Sequence, residues 1–152
     1  MPTTTDKQAL SGPLLLLMAT AVSATAANLY YSQPLLPSMA KAFAVDDAAI
    51  GLVPSLTQLG YAAAILFISP LGDSLVRREL ISYLSVLLSL ALLAVFFAPS
   101  FSTLLVASFA IGLGANITQQ LIPLGAALSN TVTRGKTMGT LMTGLTVGIL
   151  LS

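Results

Sequence analysis

Charged positions are rare along this chain, and the apolar stretches between them are long. The charges fall at Asp6, Lys7, Lys41, Asp46, Asp47, Asp73, Arg77, Arg78, Glu79, Arg134 and Lys136. The uncharged gaps cover 8–40, 48–72, 80–133 and 137–152, which are 33, 25, 54 and 16 residues long. A helix needs about 20 apolar residues to cross a bilayer, so the first three gaps each hold at least one span. The third is too long for one. Ala98-Pro99-Ser100 divides it, because proline lacks the N–H that a helix uses and disfavours helical backbone in the residue before it. The pattern therefore predicts four complete spans, over 12–38, 49–71, 80–98 and 101–124, and a fifth that begins over 137–152. Inside lipid the backbone must satisfy its own hydrogen bonds, which makes these helices. No stretch alternates with the period of two expected of a barrel strand. The expected fold class is an all-α integral membrane bundle.

The first gap is longer than a bilayer requires. Its 33 residues would make a helix roughly 50 Å long against a hydrocarbon core of ~30 Å. Pro34 and Pro37 lie in its last third, so the first helix should be tilted or kinked and should continue past the membrane surface. Lys7, the run Leu14 to Leu17 and Ala24-Thr25-Ala26 imitate the three regions of a signal peptide. The apolar stretch runs well past that site and more spans follow, which favours a retained span.

Composition narrows the classes further. Only 7% of the 152 residues are charged and 56% are hydrophobic, whereas soluble domains carry about 25% charged residues. Soluble, disordered and nucleic-acid-binding classes are excluded on that ground, and the lipid bilayer is the expected partner. The chain has no cysteine and no histidine. Disulfides, thiol nucleophiles and the usual zinc ligands are thereby removed, and neither a metal nor another cofactor is expected. Five of the six basic residues, Lys7, Arg77, Arg78, Arg134 and Lys136, fall on one side of the predicted topology, against Lys41 on the other. The positive-inside rule then puts the N-terminus in the cytoplasm, with the inner membrane as the location. The last apolar stretch stops at Ser152 with no flanking charge. The expectation is the N-terminal part of a longer polytopic protein whose remaining helices are missing here; a short, shallow final helix is the alternative.

One loop carries the most specific signal. Leu71-Gly72-Asp73-Ser74-Leu75-Val76-Arg77-Arg78 places an acid at a helix exit and two arginines four and five residues on. It resembles motif A of the major facilitator superfamily, G-x-L-a-D-r-x-G-r-r, which that family has between its second and third spans. Leu71, Asp73, Arg77 and Arg78 match; Ser69, Ser74 and Val76 depart from its two glycines and first basic residue. The stretch Asn28-Leu29-Tyr30-Tyr31-Ser32-Gln33-Pro34-Leu35-Leu36 is similar to the first helix of a bacterial transporter subgroup with an N-x-Y-Y-x-Q-P-L-L signature. Arg134-Gly135-Lys136 with Gly139 looks like that subgroup's entry into helix five. The resemblance covers nearly the whole chain, but only the first part of the family's longer helical architecture. It implies an N-terminal set of helices from such a bundle. It also implies that Asp73, with Arg77 and Arg78, acts as a conformational clamp stabilising one access state. Spacing alone leaves a plain positive-inside role for the arginines equally open. In span four the family's motif B has an arginine four residues before a glycine; aligned on Gly112, Ser108 takes its place. The family's glycine-rich antiporter motif on helix five contains a Gly-Pro, where Ile149 follows Gly148 here. Proton relays normally use acids or histidine within the membrane, and no acid lies deep in any predicted span.

Uncharged polar residues remain. Asn28 with Tyr31, Gln58 with Tyr61, and Asn116 with Gln119 and Gln120 share helix faces at three- or four-residue spacing. Such groups are costly against lipid and should point into the bundle. Asn28, Tyr31, Gln58, Tyr61 and Gln119 are candidates for a cavity that hydrogen-bonds substrate, balanced against plain interhelical bonding; for Asn116 and Gln120 interhelical bonding is favoured. Gly135/Gly139 and Gly144/Gly148 read as close-packing pairs. The expected function is transmembrane movement of a small organic solute by alternating access, as a secondary transporter with export among its directions. The alternative is a truncated, transport-incompetent fragment that only packs with partner helices. A compact four-helix exporter is discounted because Glu79 lies in a loop rather than in the membrane. An enzyme is discounted because no Ser/His, His/Glu or paired-aspartate set lies within the spans.

Overall fold

The computed structural model of the chain describes residues 10–152, apart from the Asp73 side chain. Among the described residues all regular structure is helical: α1 (Gly12–Ala27), α2 (Leu36–Phe43), α3 (Asp47–Ile50), α4 (Leu52–Phe67), α5 (Leu71–Ser74), α6 (Arg77–Phe96), α7 (Phe101–Gly114), α8 (Ile117–Leu128) and α9 (Arg134–Leu150), with a 3-10 turn over Gln33–Leu35. The stretches Asp47–Phe67, Arg77–Phe96 and Phe101–Leu128 are long and apolar enough to cross a membrane, and α1 is a shorter apolar helix. The chain is a multi-pass, all-α membrane bundle.

The first apolar stretch is not one helix over 12–38. α1 stops at Ala27, irregular turns cover 28–32, and the 3-10 turn leads into α2. Proline explains the restart. Pro34 and Pro37 each occupy a first-turn position, of the 3-10 turn and of α2, where a missing N–H costs nothing. α2 ends at Ala44, whose left-handed backbone (φ 52°) brings its N–H back to the Ala40 and Lys41 carbonyls. Asp46 then caps α3, its carboxylate accepting from the Ala49 N–H at 2.7 Å. The predicted break at Pro99 is present: Ser100 caps α7, accepting from the Thr103 N–H at 3.3 Å.

The fourth span differs from a continuous helix over 101–124. It tightens at Ala115-Asn116, where Asn116, Thr118 and Gln119 donate to carbonyls three residues back, and then runs on through Pro123 to Leu128. Gly112 and Gly114, poor helix formers, precede the break. Glu79 is not in a loop either: α6 begins at Arg77, which puts Glu79 in its first turn, where the helix dipole favours an acid.

Apolar surface gains little by leaving lipid for protein, so close backbone approach holds the helices together. α4 packs parallel to α7, with Val53 near Leu104 at one end and Ser69 bonded to Asn116 at the other; α6 packs on α7, and α1 runs parallel to α9. Each contact is made at glycine. A Cβ on Gly60 would lie 2.2 Å from the Phe109 carbonyl oxygen, and one on Gly112 2.0 Å from that of Thr57. A Cβ on Gly114 would lie 2.9 Å from the Leu88 Cα; on Gly144 and Gly148 it would meet the Ala19 and Ser23 carbonyl oxygens at 2.5 and 2.2 Å. The expected close packing at Gly135 and Gly139 is absent among the described residues, none of which lies within 4 Å of a Cβ at either. Met18, Val22, Leu84, Leu88, Leu121 and Leu141 fill the space between α1, α6, α8 and α9. A second cluster, around Ala40, Ile50, Val53 and Leu104, closes the end carrying α2 and α3. Exposed serines on α6 are satisfied within the helix: Ser82, Ser85 and Ser89 each donate to the carbonyl four residues back.

Candidate functional site

The loop after α4 is held against α8 by polar groups. Asn116 is fully buried at the tightened turn. Its Nδ2 donates to Ser69 Oγ at 3.0 Å, and its Oδ1 accepts from Gln120 Nε2 at 3.3 Å. Gln120 is itself buried and presses its Oε1 against Gly72, where a Cβ would lie 2.0 Å away. Only glycine lets the loop backbone come this close. Arg77, the first residue of α6, donates from Nε to the Gly72 carbonyl at 3.0 Å. The segment from Ser69 to Arg77 is thus stitched both to α8 and to itself.

Beside this stitching is a cavity of about 380 Å³, whose lining includes Ile65, Ser69, Arg77, Gln119, Gln120 and Pro123. Gln119 Nε2 donates to the Tyr61 hydroxyl at 2.8 Å, bridging α8 and α4. A second, more enclosed cavity of about 150 Å³ lies at the opposite end of the bundle. Its polar wall is Asn28, Tyr31, Ser32, Thr57 and Ser108, and Val53, Leu104 and Ile111 are part of its apolar wall.

The candidate residues therefore separate into two places. Asn28 and Tyr31 share the enclosed cavity. Tyr61 and Gln119 are bonded to one another nearer the Arg77 end, and Gln119 lines the larger cavity. Gln58 is exposed on α4 and lines neither described cavity, although Tyr61 is three residues on. Arg77 is half-buried against the loop and Arg78 is exposed. The Asp73 carboxylate and Lys7 lie outside the described residues.

Ser69 was not among the candidate site residues. It appears in the sequence only as a departure from a motif glycine, yet it is the hydroxyl that binds Asn116. Its only signal was being polar at a helix exit. Ser108, at the place of the family's arginine, donates to the Leu104 carbonyl at 2.7 Å and faces the enclosed cavity. Among the described residues no group of histidine, cysteine or acids could hold a metal ion.

Comparison with known proteins agrees with this architecture. The uncharacterized transporter YgaY of Escherichia coli O157:H7 is 38% identical over 143 residues, covering 94% of this chain and 36% of that protein; its counterpart in strain K12 matches to the same extent. The "Probable transporter SCO4007" of Streptomyces coelicolor is 46% identical over 69 residues, covering 45% of this chain and 16% of that protein. The chain thus spans about 36% of the length of its YgaY relatives. No solved structure gives a significant match. These relatives are named as transporters rather than enzymes. The family model of the Major Facilitator Superfamily matches residues 16–152, almost all of what the structure describes, and the chain belongs to that superfamily of membrane transporters.

Proposed function

We propose that this chain forms part of a secondary transporter that moves a small organic solute across the inner membrane by alternating access, with its N-terminus in the cytoplasm. In such a cycle a helix group rocks against a second one around a site near the midplane. The observation that carries the reading is the loop from Ser69 to Arg77, stitched to α8 through Asn116 and Gln120. A loop fixed this firmly to one helix group keeps its backbone in a constant position relative to a moving neighbour. In this reading Asp73 and the arginines at 77 and 78 form and break charge-assisted bonds as the second group approaches and leaves. Lys and Arg clustering at 7, 77, 78, 134 and 136 supports the orientation. Asn28, Tyr31, Gln58, Tyr61 and Gln119 remain the proposed solute-contacting residues.

The test uses the full-length protein in membrane vesicles. Substituting Asp73→Ala removes one charged hydrogen bond from the clamp and should lower solute flux about fivefold at unchanged protein level. Arg77→Gln should lower it by a similar factor. Flux equal to that of the native protein in both variants would leave the arginines with a topological role only.

A further inference from the structure

We infer that the enclosed cavity at the α2–α3 end of the bundle is a binding site for a small neutral amphiphile, an apolar ring or short chain carrying one hydroxyl. The inference rests on reading Asn28 and Tyr31 as ligand-facing but not on transport itself, because binding is measured without flux.

Size comes first. The cavity holds about 150 Å³, and an apolar cavity of about that volume in a soluble protein accepts a benzene-sized ring. The lining decides the chemistry. Val53, Leu104 and Ile111 are buried and supply apolar walls. None of the described lining residues is charged, so an ion would enter without a counter-charge at a steep desolvation cost. One side is polar in a particular way. Thr57 and Ser108 spend their hydroxyl protons on the Val53 and Leu104 carbonyls, at 3.0 and 2.7 Å. Asn28 donates to the Ala24 carbonyl at 2.9 Å. Each keeps an oxygen as an acceptor. Ser32 Oγ is buried and has no hydrogen-bond partner among the described residues. The wall therefore offers acceptors together with one buried hydroxyl, that of Ser32, that still needs a partner among the described residues. A ligand hydroxyl answers both, donating to an acceptor and accepting from Ser32. Buried polar atoms are rarely left unpaired, which makes Ser32 the group that fixes ligand orientation. The approach is apolar as well: Tyr31, Leu35 and Leu92 are exposed members of the lining, and a solute that partitions into lipid can pass between them.

The experiment observes 4-fluorophenol by fluorine NMR with the purified chain in dodecyl maltoside micelles, with protein-free micelles as the baseline. The native protein should show a saturable component that unlabelled phenol displaces. Fluorobenzene, which lacks the hydroxyl, should bind roughly fivefold more weakly, as should 4-fluorophenol to Ser32→Ala. Leu92→Trp, which fills the cavity from its exposed wall, should abolish the saturable component while the helical circular dichroism stays native. No saturable binding above the micelle baseline would overturn the inference. So would native affinity in both variants, which would put the ligand elsewhere. Loss in Leu92→Trp with native affinity in Ser32→Ala would overturn the assigned role of the hydroxyl.

Discussion

Gly112→Leu should prevent the chain from assembling a stable bundle, and Gly112→Ala should already lower its stability by ~3 kcal/mol or more. The reason lies in the α4–α7 crossing. A Cβ at position 112 would lie 2.0 Å from the Thr57 carbonyl oxygen and 2.7 Å from the Tyr61 nitrogen. These are backbone atoms of a helix, and they cannot swing aside as a side-chain terminus could. The helices would have to separate by more than an ångström along their most extensive contact. In lipid that separation forfeits packing that no hydrophobic force replaces. Gly60 faces Phe109 from the other side of the same crossing, so no slack remains on either helix. Gly139→Ala is the matched control. No described residue lies within 4 Å of a Cβ there, and alanine in a helix is favoured over glycine by up to ~1 kcal/mol. Unfolding of the purified variants in mixed micelles, followed by circular dichroism, should therefore order them as Gly139→Ala, native, then Gly112→Ala well below. Equal midpoints for the two alanine variants would show that the crossing does not depend on backbone proximity.

The contrast between these glycines also shows what the sequence could and could not reveal. Gly135/Gly139 and Gly144/Gly148 have the same four-residue spacing on the same helix. One pair meets the backbone of α1 and the other meets none of the described residues. Spacing identifies a smooth strip on a helix; which part of the strip has a neighbour depends on the crossing point, and that is set by helices far away in sequence. The long apolar helices over Asp47–Phe67, Arg77–Phe96 and Phe101–Leu128 were legible because so few charges interrupt them and because Pro99 cannot continue a helix. The tightened turn at Ala115-Asn116 was not, since no proline or charge marks it. The polar face read on span four divides for the same reason. Asn116 and Gln120, four apart, bond to each other and reach the loop, whereas Gln119 reaches Tyr61 on α4. One residue of helical rotation separates two different neighbours. Gln58 and Tyr61 divide likewise, with Gln58 left exposed. The charged loop was recognisable from its residue types, while its attachment to α8 depends on Ser69 and Gly72, whose small side chains carry little signal of their own.

That attachment gives the second large effect. Asn116→Leu should destabilise the bundle by ~2 kcal/mol, because Ser69 and the buried Gln120 each lose a hydrogen-bond partner in the protein interior. Interhelical bonds in membrane proteins average nearer 0.6 kcal/mol, but a single asparagine serves two partners here. The effect should also be coupled. Once Asn116 is leucine, Ser69→Ala should cost almost nothing further, a non-additivity of about 1 kcal/mol across the cycle. The glycine opposite supplies a sharper form of the same test. Gly72→Ala places a Cβ 2.0 Å from Gln120 Oε1. This contact is with the end of a side chain, so Gln120 can retreat, but only by giving up its bond to Asn116. Gly72→Ala alone should therefore melt lower than native, and Gln120→Ala should restore part of the loss by removing the obstructing carboxamide. If Gly72→Ala is as damaging with alanine at position 120 as with glutamine, then Gly72 is needed for its own backbone conformation. Gly72 has no left-handed φ, so its backbone makes no such demand, and rescue is the expected outcome. The same pair of variants then separates the bracing of the loop from the chemistry of its charges. With Asp73, Arg77 and Arg78 intact, any loss of flux in full-length Gly72→Ala that Gln120→Ala recovers reports the bracing alone.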